Sequence, residues 1–155
     1  MTWRKPIVVF LAALLAPLAI AGETSLIDTL RIKFPHSIPW NVEILDAEGK
    51  TSGNLEMLIT SDSARSCLGD MTAGVRVEFI RKDRLPPKLS ITSYGVAKIT
   101  GNKIKIDLTG GMCDAYLLMS GTLATNGSST GDIYTLGMHG GHDVATYRAT
   151  VKRGP

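Results

Sequence analysis

From Lys103 to Leu108 the chain reads KIKIDL, with Ile104, Ile106 and Leu108 on one side of a two-residue period and Lys103, Lys105 and Asp107 on the other. Successive side chains of a strand point to opposite faces, so this pattern fits a strand with one buried and one wet face. The same period recurs along most of the chain. Trp40, Val42 and Ile44 alternate with Asn41 and Glu43; Val75, Val77 and Phe79 alternate with Arg76 and Glu78. In TLRIKF, Thr29 to Phe34, the residues Leu30, Ile32 and Phe34 oppose Arg31 and Lys33. Further strands are predicted at 54–60, 88–100, 114–123, 131–137 and 143–151. Helical spacing surfaces only from Thr24 to Leu30, where it competes with the strand at 29–34.

The punctuation between these runs is that of hairpins. Gly101-Asn102 suits a two-residue turn, since both positions tolerate positive φ. Asp46 to Lys50 and Thr125 to Ser129 are longer polar loops that contain a glycine. Gly95 marks a predicted bulge or sharp bend within 88–100. Short connections require antiparallel neighbours, because parallel strands need long crossovers. The predicted class is therefore all-β: an antiparallel up-and-down barrel of about eight or nine strands, with a β-sandwich as the alternative.

The beginning of the chain obeys different rules. Arg4 and Lys5 precede the apolar run IVVFLAALLAPLAI, which ends in Ala19-Ile20-Ala21, a small-residue cleavage pattern. A basic region, a short apolar region and an A-x-A site describe a secretory signal peptide over 1–21. The run is too short for a membrane span, which takes roughly 20 apolar residues. The expected mature unit is a single barrel domain over 22–155, exported to the periplasm or the medium. Removing Arg4 and Lys5 from the 17 basic residues leaves 15 against 14 acidic ones. A near-neutral domain without a clustered positive face argues against nucleic-acid binding. Arg81-Lys82-Asp83-Arg84, the one basic cluster, is expected in a solvated loop before Leu85-Pro86-Pro87.

Export also governs the two cysteines. Cys67 and Cys113 are expected to form a disulfide, because an oxidising compartment seldom leaves a pair of thiols free. Such a bridge would pin the polar connection Ser61 to Asp70 against the start of the 114–123 strand.

Two stretches resemble a known group. Pro39-Trp40-Asn41-Val42 looks like the barrel-opening tryptophan strand of the calycins, the lipocalins and avidins. Gly141 to Ala149 is similar to the glycine-then-aromatic final strand of small exported barrels. The resemblance implies barrel architecture. Ile38 stands where the group has a glycine two residues before the tryptophan, and the tryptophan-rich ligand wall of avidins is missing.

Candidate chemistry is sparse. His139 and His142 flank Gly140-Gly141, and Asp143 follows. On a hairpin tip centred on the two glycines, the imidazoles would face each other at a Cβ separation of about 5 Å. Such a pair, with Asp143, would suit zinc or copper; otherwise no cofactor is expected. No G-x-S-x-G elbow is present. Asp46, Glu48, Glu56, Glu78 and Asp107 fall at outward or loop positions rather than paired in a cleft. Met57 and Met119 fit a core, whereas Met112 and Met138 lie in glycine-flanked loops. Arg65 and Asp70 of the disulfide-tied loop, with Met112 beside Cys113 and Met138 beside His139, are taken as candidate contact residues of an interaction loop.

These features imply binding rather than catalysis. The leading expectation is an exported protein that recognises another protein through its loops, as a periplasmic inhibitor or immunity protein would, its partner a secreted or periplasmic hydrolase. The alternatives are a carrier of a small ligand or of zinc or copper, using the barrel interior or the His139/His142 hairpin, and a thiol-dependent enzyme using Cys113.

Overall fold

The two-residue alternation becomes a ladder that closes on itself. The computed structural model describes residues 30, 32–137 and 140–152. Eight strands run in chain order: β1 (Ser37–Leu45), β2 (Thr51–Ala64), β3 (Gly74–Asp83), β4 (Tyr94–Thr100), β5 (Lys103–Asp107), β6 (Tyr116–Leu123), β7 (Ser129–Gly137) and β8 (Gly140–Val151). Each pairs antiparallel with the next, and β8 returns to β1 from Trp40↔Val151 to Leu45↔Thr146. The result is a closed up-and-down barrel, not a sandwich. Among the described residues no helix is long and apolar enough to cross a membrane. The proposed leader, 1–21, lies outside the described residues.

Turn chemistry follows the sequence closely. Gly101 turns at φ +59° between the closing pair Thr100↔Lys103. In the 46–50 loop, Asp46 Oδ1 accepts hydrogen bonds from the amides of Glu48 and Lys50. Asn126 Oδ1 does the same for the Ser128 amide and hydroxyl.

Four local expectations are overturned. Leu30, Ile32 and Lys33 are helical, with Phe34 N donating to Leu30 O at 2.8 Å. Leu30 and Phe34 fit both a two-residue and a four-residue period; Ile32, the residue that separates them, is 80% exposed. Of 88–100, only Tyr94–Thr100 is strand. Residues 84–93 instead cross one end of the barrel, packing Leu85, Leu89 and Ile91 on the core while Lys82 Nζ holds the carbonyls of Ile91 and Thr92. The basic cluster is consequently not a loop, since β3 runs on through Asp83. Gly95 makes a regular pair with Val77, and its role is clearance: a Cβ there would stand 2.6 Å from Asp107 O and 3.0 Å from the Phe79 ring.

Packed side chains fill most of the interior. One inward row runs Val75, Ala97, Ile106, Met119, Ile133 and Ala145 across six strands. The next runs Ile99, Ile104, Gly121, Gly131, Tyr147 and Ile44. The Tyr147 hydroxyl occupies the space that Gly121 leaves open and meets Ser129 Oγ at 2.9 Å, while Gly131 lets β7 pass close to the Ser120 carbonyl and the Gly121 Cα. Trp40, 1% exposed, fills the level beside Met57. An eight-stranded barrel has room for packed side chains or one small ligand, and here the side chains take the space.

Two outcomes follow from this packing. Gly121→Ala sets a methyl against Thr130 O and the Tyr147 hydroxyl, and is expected to cost about 3 kcal/mol in urea unfolding. Burial pushes the Tyr147 phenol above its ordinary 10.0, against the smaller lowering effect of Ser129. The unfolded chain therefore ionises first, so stability is full below about pH 10 and declines as pH rises above that value. Tyr147→Phe should abolish this decline while costing about 1 kcal/mol at neutral pH, by leaving Ser129 unpaired; urea midpoints on both sides of the window measure both effects.

Candidate functional site

β2 and β3 are joined by a strap, residues 65–73, that does not stay at the end of the barrel. It lies over the outer face of β4, β5 and β6. Val96, Asp107 and Leu118 form one outward row across those strands, and all three are wholly buried. None of the three belongs to the core cluster inside the barrel. Met71, in the short 3-10 turn Gly69–Met71 of the strap, is also 0% exposed and outside that cluster. The strap thus buries a second, smaller patch on a face that the sequence marked as wet.

A carboxylate sits inside this patch. Asp107 Oδ2 accepts from Ser66 Oγ at 2.5 Å, and Oδ1 accepts from the Thr109 amide at 2.9 Å and lies 2.7 Å from Thr109 Oγ1. Ser66 and Thr109 are themselves 5% exposed. Burying an ion costs free energy unless donors replace its water, and these groups supply the donors. Ser66 Oγ in turn accepts from the Leu68 amide, so one hydroxyl links strand, carboxylate and strap. The expectation that Asp107 is solvated is therefore corrected. It points outward, as its period requires, but the strap covers it.

Two further ties hold the same segment. Cys67 and Cys113 form the expected disulfide, with Cα atoms 5.2 Å apart, joining the strap to the β5–β6 connection. Cys113 has no free thiol in this state, and no cysteine is free among the described residues; a thiol-dependent reaction at Cys113 lacks its nucleophile here. Lys98 and Lys105, cross-strand neighbours, reach the strap from β4 and β5. Lys98 Nζ donates to Asp70 O, and Lys105 Nζ meets Asp70 Oδ2 at 2.8 Å. The Lys105 hydrogen bond holds the Asp70 carboxyl below its ordinary range.

The residues singled out in the sequence separate on this frame. Arg65 is exposed at the start of the strap, and Met112 is 48% exposed next to Cys113. Asp70 gives its carboxylate to Lys105 and its carbonyl to Lys98, while its side chain stays 60% exposed. Met138 and His139 lie outside the described residues. His142 and Asp143 are both exposed. Gly137 pairs with Gly140, so the two glycines are not the turn, and His142 stands opposite Thr135 rather than opposite another imidazole. Among the described residues no three His, Cys, Asp or Glu side chains form a metal-binding group.

An open cleft of about 1100 Å³ lies where the two ends of the strap meet β3 and β4; Val75, Ala97 and Ile99 contribute apolar wall, and Arg65 and Lys98 contribute charge. Sequence reasoning missed Ser66, Asp107, Thr109, Lys98 and Lys105. For Asp107 a local signal existed, since Asp-x-Thr at a strand end is an Asx-turn pattern. No local signal pairs residue 66 with residue 107. Comparison with family models, with curated proteins and with solved structures finds no match to this chain.

Ser66→Ala leaves the buried Asp107 short of one donor and should cost about 2 kcal/mol. Replacing both cysteines by serine should cost about 4 kcal/mol for a separation of 46 residues. Hydrogen exchange checks whether both losses open the strap before the barrel.

Proposed function

We propose that this chain is an exported, non-enzymatic binding protein that recognises another protein through the strap and the loop disulfide-bonded to it, in the manner of a periplasmic inhibitor or immunity protein directed at a hydrolase. One observation carries the reading. The strap is held at once by a disulfide, by a buried carboxylate and by two lysines, yet Arg65 and Met112 beside the disulfide remain exposed. Segments fixed before binding lose little conformational entropy on association, so a rigid surface gains affinity from few contacts. Arginine is also common among residues that dominate protein interfaces, and methionine adapts to irregular apolar partners. Export is supported by the disulfide, which persists in oxidising compartments.

Carriage of a ligand inside the barrel has less support, because Tyr147, Trp40 and the aliphatic rows pack into its core.

The test is direct binding. Purified, oxidised protein is titrated by calorimetry with exported hydrolases of its native host. One partner is expected to bind, with Arg65→Ala/Met112→Ala weakening it by about tenfold or more while the unfolding midpoint stays unchanged. Equal binding by the double variant, or no binding by any exported protein, would sink the reading.

A further inference from the structure

β4 runs on past the point at which β3 stops. Their ladder ends at Val75↔Ala97, whereas β4 continues to Thr100. On its other side β4 stays paired with β5 through Ile99↔Ile104 and Thr100↔Lys103. In a hairpin with a two-residue turn the closing pair exchanges both main-chain hydrogen bonds. Thr100, Lys98 and Val96 therefore direct their amides and carbonyls at β5, and the alternation turns those of Ala97 and Ile99 the other way. For Ala97 that way leads to β3: a Cβ on Gly74 would stand 2.7 Å from Ala97 O. For Ile99 it leads beyond the last pair with β3, where no described strand pairs with it.

The barrel wall is thus notched at one rim. β2 cannot close the notch, because its last residues, Ser63 and Ala64, are already paired with Val75 and Gly74. The cleft lies in this notch, with Val75, Ala97 and Ile99 as its apolar wall. Its charged lining residues, Arg65 and Lys98, are both positive. Neither forms an ion pair among the described residues; Lys98 Nζ donates to the Asp70 carbonyl, and with Lys105 already on the single Asp70 carboxylate the cations at this rim outnumber it. An unpaired strand edge, an apolar trough and a positive rim together specify an occupant: an extended segment that adds main-chain hydrogen bonds, buries alternate apolar side chains and brings negative charge.

We infer that the β4 edge at Ile99 takes up an extended, acidic segment of a partner protein as an added strand, with an aspartate or glutamate of that segment beside Arg65 and Lys98. The inference rests on the protein-recognition reading and names the mode and chemistry of contact.

The probe is a library of random linear peptides displayed on phage and selected on the oxidised, purified protein. Selected peptides are expected to be acidic and rich in β-branched residues, and to slow hydrogen exchange at the Ile99 amide. Ile99→Pro removes that outward amide without touching the bonds to β5, a substitution that edge strands tolerate, and should weaken the selected peptides by about tenfold. Should that variant not fold, Arg65→Glu/Lys98→Glu serves instead and should turn the selection toward basic peptides. Three results would overturn the inference: no peptide selected, selection without charge preference, or an Ile99 amide already protected in the free protein because another part of the chain covers the edge. An exported partner that binds wild type and Ile99→Pro equally overturns the edge but leaves protein recognition standing. Acidic peptides that bind at Ile99 when no exported protein does would support the edge and remove protein recognition.

Discussion

Pairing of β1 with β8 is the constraint from which the rest follows. Without it, eight strands would form an open sheet with two unpaired edges and one apolar face exposed. With it, the main-chain groups of those two strands find partners and the apolar face becomes an interior. Closure also fixes how much volume that interior holds. Gly121 is explained by that limit: its missing side chain leaves room for the Tyr147 hydroxyl, and Gly131, its partner on β7, lets the two backbones approach closely. The Tyr147 hydroxyl then needs an acceptor or donor away from water, and Ser129 supplies it.

A closed barrel with a packed interior leaves distinctive surface to what is added outside it. The strap is such an addition, and its ties differ in physical kind. The disulfide limits how far the strap can travel, whether or not anything else forms. The Asp107 network places it, because a buried carboxylate tolerates few arrangements of its donors. The two lysines act at the surface, where solvent screens them, and contribute less. In leaving the end of the barrel to cover the outer row, the strap also opens the notch beside β4, so the fixed surface and the open edge have one cause.

The fold was largely legible because alternation states its own period. β1, β3 and β5 to β8 follow from runs such as Trp40-Val42-Ile44 and Ile104-Ile106-Leu108. The misreadings occur where two periods coincide or where a distant segment intervenes. Leu30 and Phe34 satisfy both helix and strand spacing, and the exposure of Ile32 decides between them. Leu89 is apolar and buried as a strand residue would be, but it lies in a connection that caps the barrel end. Asp107 obeys the alternation and points outward; only the strap, arriving from another part of the chain, buries it.

The sequence by itself determined the all-β antiparallel class, most strand positions, which residues of those strands face inward and the pairing of its two cysteines, because each of these depends on local spacing or on a choice between few partners. Tertiary structure alone decided that Gly140 pairs with Gly137 and so sets His142 opposite Thr135, that Asp107 is enclosed by Ser66 and Thr109, and that β4 outruns β3 by a few residues. Register and coverage are properties of segments far apart in the chain, and period-two patterning carries no information about which distant segment will arrive.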